Sequence, residues 1–292
     1  MHGRPREGRG TMEIRVADVA GTCPGVERAL RLVQKAAAEA DGAPVWTLGP
    51  LIHNTRVVEE LDAAGVRVAA EPEDATGATL VIRSHGVAPS VEERAREVAD
   101  VIDATCPLVK RVHEAVRMFA DQGRLVVIVG EKGHSEVEGA RGYAPDALVV
   151  TTPEEVHEAL ADTIVESAGV VAQTTQTPKA LWAVVAALHD HTRSVQVKNT
   201  ICDATSKRQE AATRLAAEVD RMVVLGGRGS ANTRRLAELC RASCPQTMHV
   251  ESPDELDAAW FEGAEVVGVT AGASTPTAQI DELVASLTAL LG

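Results

Sequence analysis

Aromatic side chains are scarce in this chain: three Trp, two Phe and one Tyr, 2% of 292 residues. Six rings are too few for a platform on which successive bases stack. Basic charge is also in deficit, with 29 Lys and Arg against 42 Asp and Glu and a formal net charge of −13. A surface of that sign repels phosphate backbones, so no nucleic acid partner is expected. No run approaches the ~18 consecutive apolar residues of a membrane helix, and the Arg- and Gly-rich start has no apolar core for a secretory signal. Residues 1–12 read as a disordered basic tail with Met12 the structural start, and the expected location is cytoplasmic, away from membranes. Also missing are a Walker A loop, a Gly-x-Gly-x-x-Gly turn with a following acid, and a compact cysteine triad of the radical type.

What is present is the composition of a globular protein, 45% apolar and 24% charged, long enough for two or three domains at ~150 residues each. Short β-rich runs (Val45 to Leu48, Thr79 to Ile82, Leu125 to Val129, Ala147 to Val150, Val170 to Ala172, Met222 to Leu225, Val266 to Val269) alternate with stretches of helical periodicity. Those stretches are Pro24 to Ala38, Thr55 to Ala64, Pro107 to Ala120, Pro178 to His189, Thr205 to Glu218, Asn232 to Leu239 and Thr277 to Leu291. The alternation predicts an α/β protein with mainly parallel sheets and crossover helices.

An internal repeat sharpens this. Thr22-Cys23-Pro24-Gly25-Val26-Glu27-Arg28 and Thr105-Cys106-Pro107-Leu108-Val109-Lys110-Arg111 share Thr-Cys-Pro-x-Val-x-Arg, and Cys202-Asp203-Ala204-Thr205-Ser206-Lys207-Arg208 echoes it. The intervals suit one small α/β domain each, which divides the chain into three similar domains: 13–104 with Cys23, 105–200 with Cys106 and 201–292 with Cys202. Proline is favoured at the first helical position, so Cys23 and Cys106 are expected at N-caps, where free amides and the helix dipole favour a thiolate. Asp203 and Thr205 suit a helix start after Cys202. Three such thiolates on a shared axis would hold an iron–sulfur cluster with one iron open to a substrate oxygen. The competing reading, ordinary buried cysteines, suits each one singly but explains the repetition poorly. It is the preferred reading for Cys240, on an apolar helix face, and for Cys244 before Pro245.

Polar, glycine-flanked segments recur at the predicted strand ends, where open α/β sheets place ligands. They hold His53-Asn54, Arg83-Ser84-His85-Gly86, Gly133-His134-Ser135-Glu136, Gln173-Thr174-Thr175, Gly229-Ser230-Ala231-Asn232 and Gly272-Ala273-Ser274. Such imidazoles, hydroxyls, amides and exposed backbone N–H groups suit a small phosphate or diphosphate. Glu136 reads equally well as a proton donor or as a helix N-terminal acid that stabilises the dipole.

Together these ordered motifs resemble the LytB/IspH family of 4-hydroxy-3-methylbut-2-enyl diphosphate reductases from about Ile14 onward. The resemblance implies three α/β domains in a pseudo-threefold arrangement around a central [4Fe–4S] cluster, one per subunit, held by Cys23, Cys106 and Cys202 with one open iron. It further implies His53, His85, His134, Thr174, Ser230, Asn232 and Ser274 as diphosphate ligands, and Glu136 in proton delivery. The implied reaction is reductive dehydroxylation of an allylic diphosphate to isopentenyl and dimethylallyl diphosphates, the last step of the non-mevalonate isoprenoid pathway. With no flavin or nicotinamide signature in the chain, electrons would come from a ferredoxin or flavodoxin. Two positions depart from the family pattern: Ala231 stands where a second Ser is usual, and Thr22 where Phe is expected. They leave open a paralogue acting on a related allylic diphosphate. A non-catalytic iron–sulfur sensor is a further alternative, disfavoured because a sensor needs no proton donor.

Overall fold

A computed structural model describes residues 12–291. The proposed tail is outside the described residues except for Met12, which packs against the last hydrophobic cluster of the chain.

Through residue 103 the elements are β1 (Glu13–Val16), α1 (Pro24–Glu39), β2 (Val45–Leu48), α2 (Thr55–Ala63), β3 (Val66–Ala69), β4 (Thr79–Ile82), α3 (Pro89–Val98) and β5 (Asp100–Asp103). Next come α4 (Pro107–Asp121), β6 (Leu125–Val129), α5 (Ser135–Arg141), β7 (Leu148–Val150), α6 (Pro153–Leu160), β8 (Ala168–Ala172), α7 (Pro178–Leu188) and β9 (Val195–Val197). The remainder holds α8 (Asp203–Ala216), β10 (Arg221–Leu225), α9 (Ala231–Ser243), β11 (Thr247–Val250), β12 (Val266–Ala271) and α10 (Thr277–Leu291). The predicted α/β class is what forms. Among the described residues there are three four-stranded sheets, and every strand pairing in them is parallel. Central strands such as LVVIV, AGVVA and RMVVL are apolar along their length because helices cover both faces of a parallel sheet.

The three sheets share one strand permutation. Their orders are β3-β2-β4-β5, β7-β6-β8-β9 and β11-β10-β12-β1. In the first two, the first two strands in chain order lie side by side, the third joins on the other flank of the first, and a fourth completes the edge; β10, β11 and β12 repeat this placement in the last sheet, where β1, the first strand of the chain, takes the fourth place. The fourth strand of the last sheet is β1, paired to β12 with Glu13 opposite Val266. The sequence division begins its first domain at residue 13, yet the strand that starts there belongs to the sheet of the third. Each fourth strand leads into a cysteine and then into the first helix of another sheet: β1 to Cys23 and α1, β5 to Cys106 and α4, β9 to Cys202 and α8. The repeated cysteine, with its Thr-Cys-Pro context in the first two copies, therefore marks the passages from one sheet to the next.

By packing, the chain forms two compact units, residues 23–206 and residues 12–22 with 207–291. The first holds two sheets. One is covered by the α1 stripe Val26, Ala29, Val33 and Ala36, at helical spacing, against Val45 and Val81. The other is covered by Val112, Val116 and Phe119 of α4 against Val126, Ile128 and Val171. The second unit buries Leu215, Met222, Val224, Leu236 and Cys240 in one layer, and Phe261, Val267, Val269 and Leu283 in another. No helix among the described residues is long and apolar enough to cross a membrane.

Candidate functional site

Cys23 and Cys106 sit at the N-caps expected of them, and Cys202 stands directly before the first residue of α8. The carbonyls of Cys23, Cys106 and Cys202 accept the first-turn N–H of Glu27, Lys110 and Ser206 at 3.0 Å each. Proline at the first helical position of α1 and α4 costs nothing, because that N–H has no intrahelical partner. The three are partly exposed, whereas Cys240 and Cys244 are buried and structural: the Cys240 thiol is pushed up to about 12 by burial.

The thiols gather. A Cβ placed on Gly25 would lie 2.7 Å from Cys106 Sγ and 3.8 Å from Cys23 Sγ, so the missing side chain is the space into which two sulfurs project. Burial pushes the Cys106 thiol up; the amides of Leu108 and Val109 oppose this, while Cys23 and Cys202 lie close enough to raise it further. Arg28 fastens α1 to this region through Thr105 O and Asp103 O, both at 3.3 Å, and Asp103 pairs with Lys110. No three His, Cys, Asp or Glu among the described residues converge on a single ion. A polynuclear cluster instead binds one thiolate per iron, and three partly exposed helix-terminal thiols, two of them against the side-chain-free Gly25 and the third near Cys106, fit that demand.

The remaining predicted residues occupy the loops after the two adjacent central strands of each sheet, the switch point where the chain leaves in opposite directions. His53 follows β2 and His85 follows β4; His134 and Glu136 follow β6 and Thr174 follows β8; Ser230 and Asn232 follow β10 and Ser274 follows β12. In the unit of residues 23–206 they converge. The His53 and His85 rings stack at 4.4 Å, and His134 stands edge-on to them at 5.3 and 5.6 Å. Burial, then the neighbouring His53, His134 and Arg83, hold His85 well below the usual imidazole range, so it is neutral at pH 7 and its Nδ1 has no hydrogen-bond partner. Gly86 adopts a left-handed φ of 70° that turns this loop, and a side chain there would strike His113.

Glu136 is 3% exposed. Thr174 N–H donates to its Oε1 at 2.6 Å and Thr174 Oγ1 to its Oε2 at 2.8 Å. Burial raises the Glu136 pKa despite both bonds. Thr174 thus spends its hydroxyl on Glu136, a partnership the sequence reading did not foresee. Backbone bonds join these loops to the cysteines: Cys106 N–H donates to Ser84 O at 2.9 Å, and Cys202 N–H to Thr174 O at 3.0 Å. In the other unit, Ser230 caps α9 by accepting from Thr233 N–H at 3.3 Å. Asn232, 4% exposed, has no hydrogen-bond partner at either side-chain atom. A buried amide with both ends open is arranged for a polar ligand. Arg83 stands in one of the polar segments but has no role assigned from the sequence. Its guanidinium lies where a side chain on Gly49 would be, reaches Leu48 O at 3.4 Å and adds positive potential beside His85. The only sequence signal was its place before Ser84-His85.

The family model described as LytB protein matches residues 14–288. The chain belongs to the LytB family. Among curated LytB relatives, the 4-hydroxy-3-methylbut-2-enyl diphosphate reductase of Geobacter sulfurreducens is 46% identical, over 94% of this chain and 96% of its own. That of Aquifex aeolicus is 45% identical, over 93% and 94%. A solved (E)-4-hydroxy-3-methyl-but-2-enyl diphosphate reductase, described as the terminal enzyme of the non-mevalonate pathway, is 44% identical with a TM-score of 0.69, over 95% of this chain and 99% of its own. The E-1-hydroxy-2-methyl-but-2-enyl-4-diphosphate reductase from Plasmodium falciparum is 26% identical with a TM-score of 0.88, over 96% and 89%.

Proposed function

We propose that this chain is a 4-hydroxy-3-methylbut-2-enyl diphosphate reductase acting in the last step of the non-mevalonate route to isoprenoids. The reaction consumes the allylic alcohol, two electrons and two protons, breaks the C–O bond, and yields water with isopentenyl or dimethylallyl diphosphate. The carrying observation is the stitching of the Cys106 and Cys202 loops to Ser84 and Thr174, which sets a buried carboxyl and three imidazoles beside the cysteine seams.

Cys23, Cys106 and Cys202 would hold a [4Fe–4S] cluster, which when bound supplies single electrons and Lewis acidity at the iron that lacks a thiolate. The residues of the chain do the rest. His53, His85 and His134 bind the diphosphate, and Arg83 adds attractive potential. Ser230, Asn232 and Ser274 stand in the equivalent loops of their own sheet and are assigned the same ligand. Glu136, whose hold on a proton is strengthened by burial and which Thr174 orients, is the acid from which the departing hydroxyl takes its proton. A ferredoxin or flavodoxin supplies electrons, in keeping with a cytoplasmic setting.

The test is anaerobic turnover of 4-hydroxy-3-methylbut-2-enyl diphosphate with reduced methyl viologen, on protein whose iron and sulfide are quantified. Formation of the two five-carbon diphosphates is expected. A full cluster with no turnover would overturn the substrate assignment and direct attention to Ala231 and Thr22.

A further inference from the structure

The repeat equates Arg28 with Arg111, five residues after each of the first two cysteines. Arg28 is spent on the carbonyls of Thr105 and Asp103. Arg111 is exposed and makes no ion pair or hydrogen bond among the described residues. It lies on the rim of a groove of about 370 Å³ formed by Leu108, Arg111, Ala115 and Met118 of α4 and residues 198–201. Lys198, also exposed and unpaired, lines the same groove from the segment 198–201.

We propose that this groove is where an acidic electron-carrier protein docks; the inference rests on the reductase reading above. Three observations support it. Both walls run into cysteine ligands: Leu108 follows Cys106 by two residues and Ile201 directly precedes Cys202. At 1.5 Å per residue, Arg111 is about 7.5 Å along the helix axis from Cys106, so a carrier seated here would come within a short electron-transfer distance of the thiols that would hold the cluster. The lining has the make-up of a transient interface, with an apolar floor of Leu108, Ala115, Met118 and Ile201 and a charged rim. The sign also fits. With Arg111 and Lys198 against Glu114, the groove carries a surplus of one positive charge on a chain of net charge −13. An acidic partner is repelled by the chain as a whole and is best received where the local sign reverses. Electron-transfer encounters need only a small interface, so a groove of this size with two rim cations is sufficient.

The experiment uses the iron-loaded protein, a purified acidic ferredoxin, and the variants R111E/K198E and R111Q/K198Q. Binding of oxidised ferredoxin, read by surface plasmon resonance at several ionic strengths, is expected to weaken about tenfold or more in the charge reversal and less in the neutral pair, with a shallower salt dependence in both. Ferredoxin-driven turnover is expected to fall in parallel, while viologen-driven turnover and iron content stay at the wild-type level. Unchanged ferredoxin affinity in the reversal overturns the docking site. Equal losses with both donors also overturn it, because the residues would then support the cluster. Wild-type protein that turns over with viologen keeps the reductase reading alive in either case, and wild type inactive with viologen despite full iron removes the reading and the docking inference together.

Discussion

Replacing Glu136 by Gln separates two consequences of burying this carboxyl. The amide oxygen still accepts the Thr174 N–H, and the Thr174 hydroxyl turns from donor to acceptor toward the new NH₂, so both hydrogen bonds survive and the fold should hold. What is lost is the transferable proton, expected to cost about 10²–10⁴-fold in turnover, or about 3–5 kcal/mol in the barrier. Stability should move the other way. The folded-state pKa of Glu136 is raised above the ordinary value of 4.5, so folding binds a proton there. That lowers wild-type stability progressively as pH rises from about 4.5 toward the folded pKa. Gln has no such proton, so the melting temperature of the variant relative to wild type should rise over that window and then level off. The assay is viologen-driven turnover at matched iron content, with melting curves from pH 4 to pH 8. Turnover within threefold of wild type would refute the proton-delivery role. A relative melting temperature that falls with pH would refute the claim that burial raises the pKa of Glu136.

Other perturbations test the remaining parts of the site. G25A should lose most of its iron after anaerobic reconstitution, because the new Cβ meets Cys106 Sγ at 2.7 Å; Gly25 does not have a left-handed φ, so helix propensity favours Ala by up to about 1 kcal/mol against about 1–3 kcal/mol of overpacking. Inorganic pyrophosphate should bind with proton uptake, since it raises the depressed pKa of His85, and its affinity should fall as pH rises, by at most about tenfold per unit for each proton taken up; calorimetry in buffers of different ionisation enthalpy reads this, and no uptake would count against the three-histidine site. C240A should retain full iron and lose about 1 kcal/mol of stability, and native protein should resist alkylation at Cys240, whose thiol is pushed to about 12.

Long elements were legible in the sequence because their burial is regular: α1, α4, α7 and α10 carry apolar stripes, and β6, β8 and β10 are covered on both faces. The edge strands β3, β5, β9 and β11 went unread because VRVA, DVID, VQV and TMHV are short and only partly buried, and α3 because Ala95 is its only buried residue. The seven-residue α5, which carries Glu136, is too short to show a period.

The sequence by itself determined the α/β class, the N-cap places of Cys23 and Cys106, the helix start after Cys202 and the glycine-flanked polar loops at strand ends, because helix capping, strand composition and turn chemistry are local and leave a pattern within a few residues. Tertiary structure alone decided that β1 completes the sheet of β10, β11 and β12, that the empty position of Gly25 admits two sulfurs, that Thr174 is spent on Glu136, and that Arg28 is anchored while Arg111 stands free. Each of these joins residues distant in the chain through distance, burial or charge, and a shared local motif such as that around Arg28 and Arg111 cannot report which partners the fold will bring to each copy.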